Sequence, residues 1–399
     1  MCHNPIRWSS HRSRWKCAYL PSNGESWSDF MFYRQYNRTG NRQSGAALVV
    51  ALLIFALAAA LMVGLQRDFS LTLQRGSNQF TEQQGWAYLR GAEALAIVAL
   101  RADAELDNQL DTPKDDLSEL WASEATPYPL DGGGWLVGQV EDLQGRFNLN
   151  LLVAESASDR GDRDEPSVST PEQDTDLSAG NRSSATFSDE SDDQMPPAKQ
   201  IFVRLLQALE GDPISLEQAM VIADGVADFI DSDQQQRMNG AEEDAYRNTS
   251  PPYRPANQPM ASVSELRAVS GMTREIYQAL APYVTVWPRG GAKLNILTAS
   301  ATVLRSINGA GQLAPLGADA GERLVEARKQ GLIADVDTLL ADSAFSGDTS
   351  GLSSLLTQTS DWFLLSASVE IAEREMRLYS VLQRESTQIN SRYRTRGEL

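Results

Sequence analysis

The chain has 399 residues and a formal charge of −18, a length that allows two or three domains. Its two cysteines and two histidines (Cys2, Cys17, His3, His11) all precede Gly45, so thiol chemistry, imidazole catalysis, disulfides and zinc sites are excluded from everything after it. Arg7, Arg12, Arg14, Lys16, Arg34, Arg38 and Arg42 against Glu25 and Asp29 make the first 45 residues +5, which leaves −23 for the rest (−18 less +5), a body that repels nucleic-acid phosphate and suits divalent cations or basic partners.

In chain order, the first strong signal is Ala46–Leu65, AALVVALLIFALAAALMVGL, without a charge or a proline. At about 1.5 Å per residue it spans roughly 30 Å, the thickness of a bilayer's hydrocarbon core. A buried core helix of this length would carry some polar residue. A secretory signal would have a shorter apolar region and a small-residue cleavage site after it. Arg34, Arg38 and Arg42 precede the segment without nearby acids, which places the N-terminus in the cytoplasm and the body outside. Met31 offers an alternative start that leaves a short basic leader, MFYRQYNRTGNRQSG.

Helical spacing continues through Phe69, Leu73, Gly76 and Phe80, then Trp86, Leu89, Ala92, Ala96 and Ala99. This predicts one helix from 46 to about 105, membrane-spanning to about 65, whose later stripe packs on a sheet. Gly76, Gly85 and Gly91 weaken it by about 1 kcal/mol each relative to Ala. In Arg146–Leu151 the apolar Phe147, Leu149 and Leu151 alternate with polar residues, which predicts a half-buried strand with Trp135–Val140 as partner. Residues 154–198 hold twelve acids and three bases among Ser and Pro, the composition of a disordered acidic linker.

Residues 199–345 read as an all-α domain with helices at Ile201–Leu209, Leu216–Ile230, Ser262–Val269, Arg274–Leu280, Ala299–Ile307 and Gly321–Gln330. Period-two alternation returns in Phe363, Leu365, Ala367, Val369 and Ile371, and a turn near Arg374 leads to a strand around Met376–Gln383. The expected fold is α+β: a long N-terminal transmembrane helix packed on an antiparallel sheet built from 106–153 and 346–399, with the all-α domain inserted between strands.

The basic leader ending at Gly45, followed directly by the apolar run, is similar to the type III signal cut by prepilin peptidase. Five further strings occur in the matching order: Gly91-Ala92-Glu93-Ala94-Leu95, Asp142 to Asn150, Asp228 to Asp233, Gly240 to Tyr246, and Leu294 to Ala299. Together they resemble the K-type minor pseudopilins of bacterial type II secretion over almost the whole chain after Gly45. The resemblance implies cleavage at Gly45–Ala46, methylation of the new terminus, an inner-membrane anchor and a periplasmic body. Most of that superfamily carries Glu at mature position five, where this chain has Val50. The resemblance makes that Glu the neutraliser of the terminal amine of the subunit above. A subunit with nothing above it can dispense with an expensive intramembrane charge. Val50 therefore points to the tip of the filament and to a role in starting assembly. Implied partners are the I-type and J-type minor pseudopilins in a tip complex, the major pseudopilin, the prepilin peptidase and the inner-membrane assembly platform.

Residues 228–246 are the one candidate for site chemistry. Asp231, Asp233 and Glu242 repeat positions 1, 3 and 12 of a calcium loop, but Gln236 stands where its sharp turn wants Gly. An oxygen-only set suits calcium rather than zinc, and calcium binding is also what the resemblance implies. Asp231, Asp233, Glu242, Glu243 and Asp244 are the expected ligands, with Asp228 marginal. Glycoside or metal-assisted hydrolysis would need more than one clustered acidic loop. Leu294–Ile307 with Asn308-Gly309 is similar to a helix-hairpin-helix, yet the charge of the body argues against nucleic acid. The remaining alternative is a single-pass periplasmic sensor or adhesin carrying a calcium-binding helical domain.

Overall fold

Helix α1 runs Ser44–Asp107 without a break. The structure is a computed structural model that describes residues 44–110, 112–153 and 195–397. Nearly all of the expected leader (1–45) and of the expected acidic linker (154–198) lies outside the described residues. The chain divides at Thr72–Leu73 into two units. In the first, residues 46–72 of α1 expose their apolar side chains, Val50, Phe55 and Met62 among them, and the apolar stretch is long enough to cross a membrane.

The second unit is built on α1 and an antiparallel sheet. Past residue 85 the stripe faces inward: Leu89, Ala92, Ala96 and Leu100 are buried. They pack with Phe363, Leu365, Ala367, Val369, Leu378 and Leu382 of the sheet in one apolar core. Each large side chain so buried contributes about 1.5–3 kcal/mol. Gly85 lies against the sheet; a Cβ there would collide with Met376 Sδ. Its intrinsic helix penalty thus has a packing reason. Glu93, from the first of the five strings, is buried on the same face. Burial alone would raise its pKa, but hydrogen bonds from Arg394 and Ser380 hold it below the ordinary value.

The sheet order is β1 (Tyr128–Pro129), β2 (Trp135–Asp142), β7 (Trp362–Ile371), β8 (Arg374–Glu385) and β9 (Gln388–Thr395). Between β2 and β7 the chain makes β3 (Phe147–Asn148), β4 (Val284–Thr285), β5 (Leu294–Asn295) and β6 (Leu356–Thr357) elsewhere. Strand β2 therefore pairs with β7, Asp142 opposite Phe363 and Trp135 opposite Glu370, and not with residues 146–151 as expected. Phe147–Asn148 instead pairs in parallel with Val284–Thr285. The alternation in 146–151 misleads because Asn148 and Asn150 are buried as well. Asn148 donates to Pro288 O (2.9 Å), and Asn150 donates to Val286 O (3.0 Å) and accepts from Met260 N (2.9 Å). They are hydrogen-bonding pins and not a solvated strand face.

A second core collects the segments between β2 and β7. Its described helices are α2 (Pro197–Ala208), α3 (Leu216–Ile230), α4 (Glu243–Arg247), α5 (Arg274–Leu280), α6 (Ala301–Arg305), α7 (Ala318–Lys329) and α8 (Val336–Leu340). Phe202, Leu205, Ile222, Val226, Leu280 and Leu304 fill its centre. The core reaches past 199–345 to Phe147, Leu149, Leu352 and Leu356. It is not all-α as expected, because β3–β4 and β5–β6 form two short parallel pairs within it. Ser262–Val269 folds as a 3₁₀ turn at Val263–Ala268, closed by a capping box between Ser262 and Glu265. The buried Arg204 donates to Ser306 O (3.1 Å) and Gly309 O (2.9 Å), so the turn after α6 spends these carbonyls on the interior.

Candidate functional site

Helix α3 starts at a Ser215 cap, whose hydroxyl accepts from Gln218 N, and ends at Ile230, where Asp231 turns extended. Asp224 and Asp228 are one helical turn apart on the same face, and Asp231 follows at the end. All three are buried. The chain then loops back, Gln236 Nε2 closing on Gly240 O (2.7 Å), so that Glu242 arrives beside the helix end as the cap residue of α4. A Cβ at Gly240 would collide with Asp228 Oδ2, so this close return requires glycine.

Asp228, Asp231 and Glu242 each place a carboxylate oxygen within 4.8 Å of the others. Their exposures are 0%, 4% and 8%. Arg237 supplies the positive charge from outside, its Nη1 donating to Asp228 Oδ1 (2.6 Å) and to Asp231 Oδ2. One guanidinium does not balance three carboxylates. Asp231 Oδ1 and both Glu242 oxygens are buried without a hydrogen-bond partner. Burial pushes the Glu242 carboxyl up to about 7, reinforced by the negative charges of Asp228, Asp231 and Asp233. Burial likewise raises Asp231, partly offset by Arg237. Orphaned oxygens of this kind are expensive in the native state unless a proton or a cation occupies the gap between them. The donor set is oxygen only, and its flexible loop fits calcium better than the strict octahedron magnesium demands.

Of the expected ligands, the structure brings together Asp231 and Glu242. Asp233 lies half-buried beside them, with Oδ1 taken by Gln235 N (2.9 Å). Glu243 turns to Arg247 (2.9 Å) and Arg254 (3.0 Å). Asp244 is exposed. Neither Glu243 nor Asp244 belongs to the carboxylate cluster; α4 starts at Glu243 and its helical turn points successive side chains apart. Asp228, rated marginal, is at the centre. Asp224 was missed altogether; it accepts from Lys199 Nζ and Asn239 Nδ2 (3.1 Å) and supports the cluster from one turn back. The readable signal was helical spacing, Asp224-x3-Asp228-x2-Asp231, in place of calcium-loop spacing.

At the other end of the chain, Gly45 and Ala46 lie at the start of α1, and Val50 is exposed on its first turns. Nothing in this apolar region offers a carboxylate; Asp68 is the first acid after Gly45.

Comparison with known proteins adds four findings. A family model described as Type II secretion system (T2SS), protein K matches residues 145–289. Type II secretion system protein K of Pseudomonas aeruginosa is 30% identical over 86% of this chain and 89% of the relative. The protein of the same name from Aeromonas hydrophila is 30% identical over 86% and 93%. Among solved structures, the GspK-GspI-GspJ complex from the enterotoxigenic Escherichia coli type 2 secretion system contains a chain 25% identical to this one. It superposes with a TM-score of 0.59 over 82% of this chain and 100% of that one.

Proposed function

The chain belongs to the type II secretion system protein K family, the K-type minor pseudopilins, and on that footing we propose how it enters the filament and what its acidic cluster holds. The one long apolar helix among the described residues fits a single-pass membrane-anchored protein. Prepilin peptidase cuts the chain between Gly45 and Ala46 and methylates the new terminus. The helix then anchors in the inner membrane, with the body in the periplasm. The observation that carries this reading is the charge-free run Ala46–Leu65 directly behind a basic leader. A relative crystallised with an I-type and a J-type subunit supports the same partners here, in a tip complex that initiates the filament. The major pseudopilin and the assembly platform come next. The second core, inserted along the chain between β2 and β7, is bulk that a helical filament cannot pack inside itself, and Val50 in place of a carboxylate suits a subunit with none above it. The role is structural and not enzymatic.

Asp228, Asp231 and Glu242 hold calcium, with Asp233 beside them. Bound, the ion supplies the positive charge that Arg237 alone does not, and ties the end of α3 to the start of α4. The unpartnered oxygens of Asp231 and Glu242 support this site.

Two measurements test the reading. N-terminal sequencing of protein co-expressed with active peptidase returns Ala46 as the first residue, and the uncut chain without it; a cut after Leu65 would end the filament reading. Calorimetry on the full chain in detergent gives a calcium heat that Glu242→Gln removes; an unchanged heat would place calcium elsewhere.

A further inference from the structure

A second group of carboxylates lies far from the first in sequence, at the C-terminal end of α1. Asp103 and Asp107, one turn apart on the helix, and Asp115 each bring a carboxylate oxygen within 4.8 Å of the others. Glu119 reaches the same place, within hydrogen-bonding range of Asp103, while its Oε2 accepts from Trp121 Nε1 (2.6 Å). We propose that Asp103, Asp107, Asp115 and Glu119 form a divalent-cation site that clasps the end of α1 to the start of β7 and the end of β8.

Three observations carry it. The first is charge. Arg384 is the one buried cation there, its Nη1 donating to Asp103 Oδ2 (3.1 Å) and its Nη2 to Asp115 and to Ser360 O. Lys114, the other cation nearby, is on the surface and engaged by Asp116 (2.6 Å). One buried guanidinium, helped only from the surface by Lys114 near Asp107 and Glu119, thus faces four carboxylates. The second is position. The last turn of α1 contains no basic residue, and a helix C-terminus carries partial negative charge that disfavours acids. The third is independent of both and points directly at a ligand. The Asp115 side chain is 0% exposed, its Oδ2 accepts from Ser360 N (2.7 Å) as well as Arg384, and its Oδ1 has no partner at all. A buried carboxylate oxygen with nothing to bind is the gap a metal ion fills.

The surroundings agree. Burial pushes Asp115 up to about 7, against the pull of Arg384. It pushes Glu119 up to about 8, reinforced by Asp103. Two carboxylates in hydrogen-bonding range of each other require a shared proton or a cation. The donors are all oxygen, so the ion is a hard one of the calcium, manganese or magnesium kind. Asp115 also donates its N–H to Gln358 O (2.9 Å), so an ion held here fixes the segment that leads into β7. The site shares no residue with the Asp228–Glu242 cluster and does not rest on the calcium reading of that cluster.

The test uses the full chain in detergent with Glu242→Gln, which silences the other cluster, at about 0.15 M salt so that exposed acids bind weakly. Manganese binding is read by loss of the free-ion electron paramagnetic resonance signal. Asp107 makes no hydrogen bond to Arg384, so Asp107→Asn leaves the buried pairs in place, and Glu119→Gln is a second variant in case it does not fold. One ion bound per chain, weakened at least tenfold by either substitution, supports the site. No binding in the Glu242→Gln background, or binding that neither substitution changes, overturns it. Failure of the other cluster would show separately, as Glu242→Gln having no effect on total stoichiometry.

Discussion

Asp142, the last residue of β2, stands where the chain leaves the sheet for the second core, and its replacement should reveal how firmly the two parts are joined. One of its oxygens accepts from Gln144 N (2.7 Å). The other accepts from Asn295 Nδ2 (3.0 Å), Thr298 Oγ1 (2.5 Å) and Ser360 Oγ (2.6 Å). Hydrogen bonds to an ionised group contribute about 1.5–3 kcal/mol each, so four set a ceiling well above 6 kcal/mol. Against this stands the penalty of a buried charge, visible as a pKa that burial pushes above the ordinary aspartate value. The expected net loss for Asp142→Ala is about 3–5 kcal/mol, since several neutral buried donors lose their acceptor at about 1–3 kcal/mol each while the buried charge itself is removed. Asp142→Asn keeps the shape but turns a donor toward a donor, and should lose about 1–3 kcal/mol. Trp287 and Trp362 stack 6.0 Å apart near the joint and report its opening. Denaturant unfolding of the full chain, followed by tryptophan fluorescence, ranks the wild type above Asp142→Asn and that above Asp142→Ala. An Asp142→Ala protein within about 1 kcal/mol of wild type would refute the view that this carboxylate joins the two cores.

Gly85→Val should lower stability by about 1–3 kcal/mol through its collision with Met376, whereas Gly91→Ala, with nothing within 4 Å of the new methyl, should gain up to about 1 kcal/mol; paired melting temperatures decide it. Arg204→Met leaves the carbonyls of Ser306 and Gly309 buried without a donor and should cost about 3 kcal/mol in the same assay. Burial pushes Asp115 up to about 7 and Glu119 up to about 8, above their ordinary values of 3.8 and 4.5. A raised carboxyl favours folding most below its unfolded value and loses that advantage as pH rises through the folded one. Without divalent cations the melting temperature should therefore climb as pH falls from 8 towards 5, and Asp115→Asn should flatten the curve.

The long apolar helix and strands β7 and β8 were legible because each keeps one pattern over many residues. Leu216–Ile230 and Arg274–Leu280 were read with the boundaries the structure gives them, both having a Ser or Thr cap. The reading failed where polar residues were buried. Asn148 and Asn150 look like the wet side of a strand, and only contacts with residues 260–288 show that they are pins. Strand β9 was missed; its exposed Arg392 and Tyr393 and half-buried Ser391 hide the alternation. In the acidic loop, counting along the chain selected Asp244, while turning about the helix would have selected Asp228 and Asp224. Four of the strings noted in the sequence proved to hold joints: Glu93 to the sheet, Asp142 and Asn295 at the exit from it, and Asp228 at the head of the loop.

Strand β2 must wait for β7, since Asp142 and Phe363 are register partners while the chain between them builds a complete core of its own. Closing so long an open loop would be slow in an unstructured chain. Once the intervening segments have collapsed, Gln144, Asn295 and Ser360 stand together, and the two ends of the excursion arrive as neighbours. The chain path thereby ties the sheet beneath α1 to the excursion: β2 can close only on residues made after the whole of that intervening core has been synthesised.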